Sequence, residues 1–112
     1  MTMIRQGDVL LRSTPATPSA QATVITDQGR TILAYGEVTG HAHEVIPDTP
    51  LVGDAVPAQQ LFEEPNGTRL LVVRHPATLR HEEHGPLAVA PGHYHVIRQV
   101  EYTPEAIRNV AD

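Results

Sequence analysis

Six of the seven histidines in this chain fall into three close groups, and the chain contains no cysteine. His41 and His43 flank Ala42, His81 and His84 bracket Glu82 and Glu83, and His93 and His95 flank Tyr94. A neutral imidazole presents a nitrogen lone pair to a divalent metal ion. Without a thiolate, any metal site here must be built from His, Asp, Glu or backbone oxygen. Alternate residues of an extended strand face the same side, about 6.6–6.8 Å apart along the chain, so His41 and His43 aim together onto one centre. Gly36 and Gly40, just upstream, leave room for unusual backbone or a ligand.

His81 and His84 stand three positions apart, an odd offset, and do not share a face of one straight strand. A turn at Glu82–Glu83 brings them together, as does a short helix, and strand followed by turn is the expected form. The two glutamates between them are available as ligand, base or orienting partner. These spacings make His41, His43, His81 and His84 the predicted ligands of a divalent ion (Zn, Fe, Mn or Ni), with Glu82 or Glu83 the nearest carboxylate. Four bound imidazoles would make a closed, structural site; three would leave a coordination position open for metal-assisted hydrolysis or oxidation. The competing interpretation is an exposed polar stripe beside a solvated turn, whose carboxylates merely raise histidine basicity.

The third pair reads differently. Continuing the alternation, His93, His95, Ile97, Gln99 and Glu101 share one face, and Tyr94, Val96, Arg98, Val100 and Tyr102 the other. The second set is the more core-like, which puts His93 and His95 on the polar side, toward solvent. His75 ends an apolar run before Pro76 and reads as structural. Nucleophilic catalysis has little support: there is no G-x-S-x-G elbow, and the only serines, Ser13 and Ser19, lie in a Pro-rich loop. "GEVTG" (36–40) lacks the lysine and spacing of a phosphate loop.

The elements that must position these groups are short. Ten prolines and eight glycines punctuate the chain, and runs rich in β-branched and aliphatic residues occur at 8–12, 22–26, 30–38, 41–46, 60–64, 68–75, 86–90 and 93–102. "DQG" (27–29) and "NG" (66–67) are tight-turn signals. The expected fold is all-β: a small antiparallel β-barrel or sandwich, jelly-roll-like, of about eight short strands in a single domain spanning 1–112. "TPEAIRNV" (103–110) predicts a short C-terminal helix, with Thr103 as cap and Pro104 in the first turn. The segments 13–21 and 47–59 read as surface loops.

Composition narrows the partners. The apolar share is 40 %, but with three Tyr, one Phe and no Trp the core must come from Val, Leu, Ile and Ala. A net charge of −5 with no lysine argues against nucleic acid and anionic membrane surfaces, both of which require a basic field. No window approaches the ~20 apolar residues of a spanning helix, and the N-terminal run is broken by Arg5 and Asp8. The expected location is cytoplasmic, or virion-associated if the chain is phage-encoded.

"IRQGDVLL", "AYGEVTGHAHEV" and "LRHEEHGPLAVAPGHYHVIRQVEYTPEAIRNV" together resemble a family of short uncharacterised proteins of bacteria and their phages, over nearly the whole chain. That resemblance carries no activity, but it ranks His41, His43, His81 and His84 above His93 and His95. "HAHE" and "PLAVAPGHYHV" are more loosely similar to the metal-bearing strands of cupins, small jelly-roll barrels that often hold Fe, Mn, Ni or Zn. Two functions from different classes follow. One is a β-domain binding a divalent metal ion; the other is a non-catalytic module in an assembly, either a homo-oligomer or a phage structural or adaptor protein, with its histidines at surfaces.

Overall fold

A computed structural model describes residues 2–35, 41–49, 56–98, 100–102 and 107–109. In chain order the strands are β1 (Met3–Gln6), β2 (Val9–Ser13), β3 (Thr23–Ile25), β4 (Thr31–Tyr35), β5 (Ala42–Pro47) and β6 (Gln59–Glu63). They continue as β7 (Arg69–Val73), β8 (Ala77–Arg80), β9 (Leu87–Val89), β10 (Gly92–Arg98), β11 (Val100–Tyr102) and β12 (Ile107–Asn109). Ten of them form two antiparallel sheets, one ordered β1-β2-β10-β7-β6-β3 and the other β4-β5-β8-β9. Among the described residues both sheets keep open edges, which is consistent with the sandwich alternative and not with a closed barrel. Near these edges β1 approaches β9 and β4 approaches β6.

Apolar residues from both sheets meet between the layers. Val9 and Leu11 of β2, Leu71 and Val73 of β7 and Tyr94 of β10 face Val45 of β5, Leu79 of β8 and Val89 of β9. The period-two spacing of these pairs is what a strand with one buried face requires. Each fully buried Leu or Val contributes about 1.5–3 kcal/mol relative to leaving it in water. With few large aromatics, Tyr94 is the bulkiest core residue, and its hydroxyl donates to Ala90 O at 2.6 Å. Burial raises that phenol above its ordinary pKa.

Two turns set the geometry. Gln28 and Gly29 both take positive φ, 52° and 80°, and the reciprocal bonds between Asp27 and Arg30 close a tight turn at 3.0 and 2.9 Å. Positive φ at both central positions is the I′ pattern, and here it passes the chain from the large sheet to the small one. Gly7 takes φ 58° between the paired residues Gln6 and Val9. Positive φ at the first central residue only is the II′ pattern, and it makes Asp8 the second corner of the β1–β2 hairpin.

The C-terminus departs from expectation. No helix occurs among the described residues, and Ile107–Asn109, inside the segment expected to be helical, forms β12. It pairs with β11 through Val100↔Asn109, Glu101↔Arg108 and Tyr102↔Ile107. A helix of barely two turns has too few internal bonds to offset its nucleation cost, whereas extended backbone here gains a ladder partner at once. The remainder of that segment, 103–106 and 110, lies outside the described residues, as do Gly36 and Gly40 and residues 50–55 of the 47–59 loop. The expected run at 93–102 divides into β10 and β11, β8 is the strand expected before the turn at Glu82–Glu83, and β1 is an added strand.

Candidate metal centre

The four histidines singled out by spacing come together because β5 and β8 are antiparallel neighbours. Their last registered pair is Glu44↔Arg80, and one step further the same register sets His43 opposite His81. His41 sits immediately before β5, and His84 follows in the bend after β8. Ring centroids are 4.4 Å apart for His43–His81, 4.8 Å for His81–His84, 5.6 Å for His41–His81 and 6.1 Å for His43–His84. Imidazoles bound to one tetrahedral ion through nitrogens ~2.0–2.1 Å from it have centroids roughly 5 Å apart. The observed spacings bracket that value.

A carboxylate joins the rings. Ligand atoms of His41, His81 and Glu82 all lie within 4.8 Å of one another. Glu82 is exposed, and its Oε1 accepts the amide N–H of Ala42 at 2.9 Å, tying the 82–84 turn to the start of β5. That bond is the chief reason its carboxyl sits below the ordinary pKa. Its own amide N–H and the nearby His81 and His41 add to the effect, and desolvation opposes it. Glu83, half exposed, holds Oε1 at 3.6 Å from His41 Nδ1.

The inner wall of the cluster is dry. His43 is fully buried and His81 is 5 % exposed. Gln6 Nε2 donates to both Leu79 O and Gly85 O at 3.0 Å, so its Oε1 must turn to His43. His43 Nδ1 lies 2.9 Å from that oxygen and therefore carries the donated proton. Nε2, the opposite nitrogen, then points at Asp8 Oδ1, 3.3 Å away. Asp8 is itself 1 % exposed, and its Oδ2 accepts from Arg98 Nε at 2.7 Å. The outer part of Arg98 reaches Tyr35 O at 3.2 Å.

On the outer side, His81 Nδ1 accepts the amide N–H of Glu83 at 3.0 Å, which puts the proton of a neutral His81 on Nε2. His84 Nε2 is shut off from water and has no hydrogen-bond partner among the described residues. A buried polar nitrogen in that state costs about 1–3 kcal/mol unless something satisfies it.

None of the ring contacts within the cluster involves His93 or His95. Both lie on β10, where His93 Nδ1 donates to Ala16 O at 2.7 Å. The alternation on β10 is as expected, with Tyr94 buried, Val96 packed on the core and the two histidines half-buried on the other face. His75 is exposed after β7. Sequence inspection missed Gln6, Asp8 and Arg98. The available hint was "QGD" at 6–8, where two polar residues occupy a tight hairpin inside an otherwise apolar run.

A family model described as a domain of unknown function (DUF8820) matches residues 5–99. That span takes in Gln6, Asp8, all seven histidines and Arg98. No curated protein matches the chain, and no solved structure does.

Proposed function

The chain belongs to this family, which brings no activity with it, and we propose from its own side chains that it binds a divalent metal ion at the histidine cluster. His41, His43, His81 and His84 supply the imidazoles, and Glu82 supplies a carboxylate at the exposed rim. The observation that carries this function is the meeting of rings from two distant segments, with centroids 4.4–6.1 Å apart. Solvated turns and polar stripes have no reason to gather four imidazoles against a dry wall. His84 Nε2, buried and lacking a hydrogen-bond partner among the described residues, adds a second reason.

The donor set favours an ion comfortable with nitrogen and oxygen together, such as Zn²⁺, Fe²⁺, Mn²⁺ or Ni²⁺. Ligand atoms on one tetrahedral ion sit roughly 3.3 Å apart, closer than the 4.8 Å spread of His41, His81 and Glu82. Loading would draw the rim inward by about an ångström per side chain, which the exposed Glu82 and the half-buried His41 can supply by rotation.

Elemental analysis of protein purified without a histidine tag tests the proposal. Near-stoichiometric metal is expected, abolished in a His41→Ala/His81→Ala double variant that still folds. Metal-free protein that stays metal-free after incubation with Zn²⁺, Fe²⁺, Mn²⁺ and Ni²⁺ would overturn it.

A further inference from the structure

A cavity of about 690 Å³ lies between the two sheets, and no histidine lines it among the described residues. Ile25 and Val96 of the large sheet and Ile32 and Ala34 of β4 supply its apolar walls. Small-molecule sites run to ~300–1,000 Å³ with mostly apolar linings and a few placed polar groups. Two tight turns border this one. Asp27 opens the turn that its reciprocal bonds with Arg30 close, and Gly67 takes φ 91° in the turn before β7. A glycine at positive φ and paired backbone bonds hold both rims in place, so the cavity is formed before any ligand arrives.

The charge at the cavity is unlike that of the chain as a whole. The net charge is −5, yet two of the eight arginines, Arg69 and Arg98, line this one space. They are not equivalent. Arg98 Nε donates to Asp8 Oδ2 at 2.7 Å and its Nη2 donates to Tyr35 O at 3.2 Å, so its charge is already met. Glu63 Oε2 stands 3.8 Å from Arg69 Nη2, too far for a hydrogen bond. That loosely balanced guanidinium offers a fork of donors that matches a carboxylate. Asp27, also in the lining, disfavours a second negative charge on whatever binds.

We propose that this cavity binds a small monocarboxylic acid with an apolar body, its carboxylate on Arg69 and its hydrocarbon between Ile25, Val96 and β4. Burial of the apolar body supplies affinity, and the guanidinium selects the acid over an alcohol or amine of the same length. The site is separate from the histidine cluster and does not depend on a metal ion.

Octanoate is the probe, titrated into ¹⁵N-labelled protein at neutral pH with octan-1-ol as the uncharged control. Octanoate should shift the amide resonances of Ile25, Ala34 and Val96 saturably and bind about tenfold more tightly than octanol. Arg69→Gln should remove that advantage, weakening octanoate about tenfold while leaving octanol unchanged. A purely structural role for Arg69 would weaken both ligands alike. The Arg69 side chain is 39 % exposed and its ion pair is loose, which favours a folded variant. Thr26→Trp, at an exposed residue of the lining, should obstruct both ligands. Absence of saturable shifts at the three amides, or equal losses for octanoate and octanol in Arg69→Gln, would overturn the proposal. Should Arg69→Gln not fold, the wild-type chain decides, and equal affinities for octanoate and octanol would overturn it. None of these outcomes bears on whether Zn²⁺ binds the histidines.

Discussion

The two walls of the histidine cluster are built on opposite principles. The inner wall, His43 with Gln6 and Asp8, belongs to strands and a tight hairpin, is almost fully buried, and fixes its protons through hydrogen bonds to backbone carbonyls. The outer wall, residues 82–84, is a bend held to β5 by one carboxylate–amide bond, with Glu82 and Glu83 open to water. In the inner wall Gln6 Oε1 fixes a proton on His43 Nδ1, and Nε2 faces Asp8 Oδ1 at 3.3 Å. His81, buried between the two walls, accepts the Glu83 amide N–H on Nδ1. A site made this way couples a preorganised half, which sets position, to an adjustable half, which closes on what arrives.

Truncating one histidine from each wall should separate these roles most strongly. His43→Ala opens a cavity and strips partners from Gln6 and Asp8 together, so the metal-free protein should lose about 2–4 kcal/mol of stability in a urea titration. His84→Ala removes a half-buried ring from a bend and should cost the metal-free protein no more than about 1 kcal/mol. Both should weaken Zn²⁺ binding. Equal stability losses in the two variants would show that the walls do not differ in the way their burial implies.

The same division explains what could be read before any coordinates. His41, His43, His81 and His84 announced themselves by spacing, and the strand-and-turn form of 76–84 followed from "ATLRH" turning at Glu82–Glu83, against the short helix that Pro76 and Gly85–Pro86 would also suit. Local alternation also placed Tyr94 inward and His93 and His95 away from the core. Gln6 and Asp8 stayed hidden because nothing local in "QGD" shows that its turn packs under a ladder seventy-odd residues away. That contact, Gln6 to Leu79 and Gly85, depends on how two sheets stack, and strand periodicity does not encode it. The C-terminus failed for the opposite reason. Thr103 and Pro104 are sound local helix signals, but Ile107–Asn109 pairs with Val100–Tyr102, and a ladder partner outweighs a two-turn helix.

Acid should weaken the metal-loaded site through its rings rather than its carboxylate. Glu82 has its folded pKa lowered, so whatever it contributes is present above the ordinary carboxylate range and is lost only as pH falls through its lowered value. Imidazoles must be neutral to ligate and ordinarily titrate near 6.5. Zn²⁺ affinity, measured by chelator competition, should therefore hold from pH ~8 to ~7 and fall progressively between ~6.5 and ~5. An affinity flat from pH ~8 to ~5 would contradict the assignment of ligands.

The smallest effect should be the most local. Neutral His81 cannot both ligate a metal and keep accepting the Glu83 amide. If Nδ1 ligates, the metal displaces that amide; if Nε2 ligates, the proton moves to Nδ1 and faces the amide N–H. Either way the 3.0 Å bond from Glu83 N to His81 Nδ1 must break on loading, at a net cost of about 0.5–1.5 kcal/mol. Amide hydrogen exchange should register this as faster exchange of Glu83 with Zn²⁺ bound, even as Ala42, whose N–H is held by Glu82, becomes slower or stays constant. Glu83 exchange that slows on loading would mean that the outer bend closes without releasing His81, and that His81 supports the metal from behind while His41, His43 and His84 bind it.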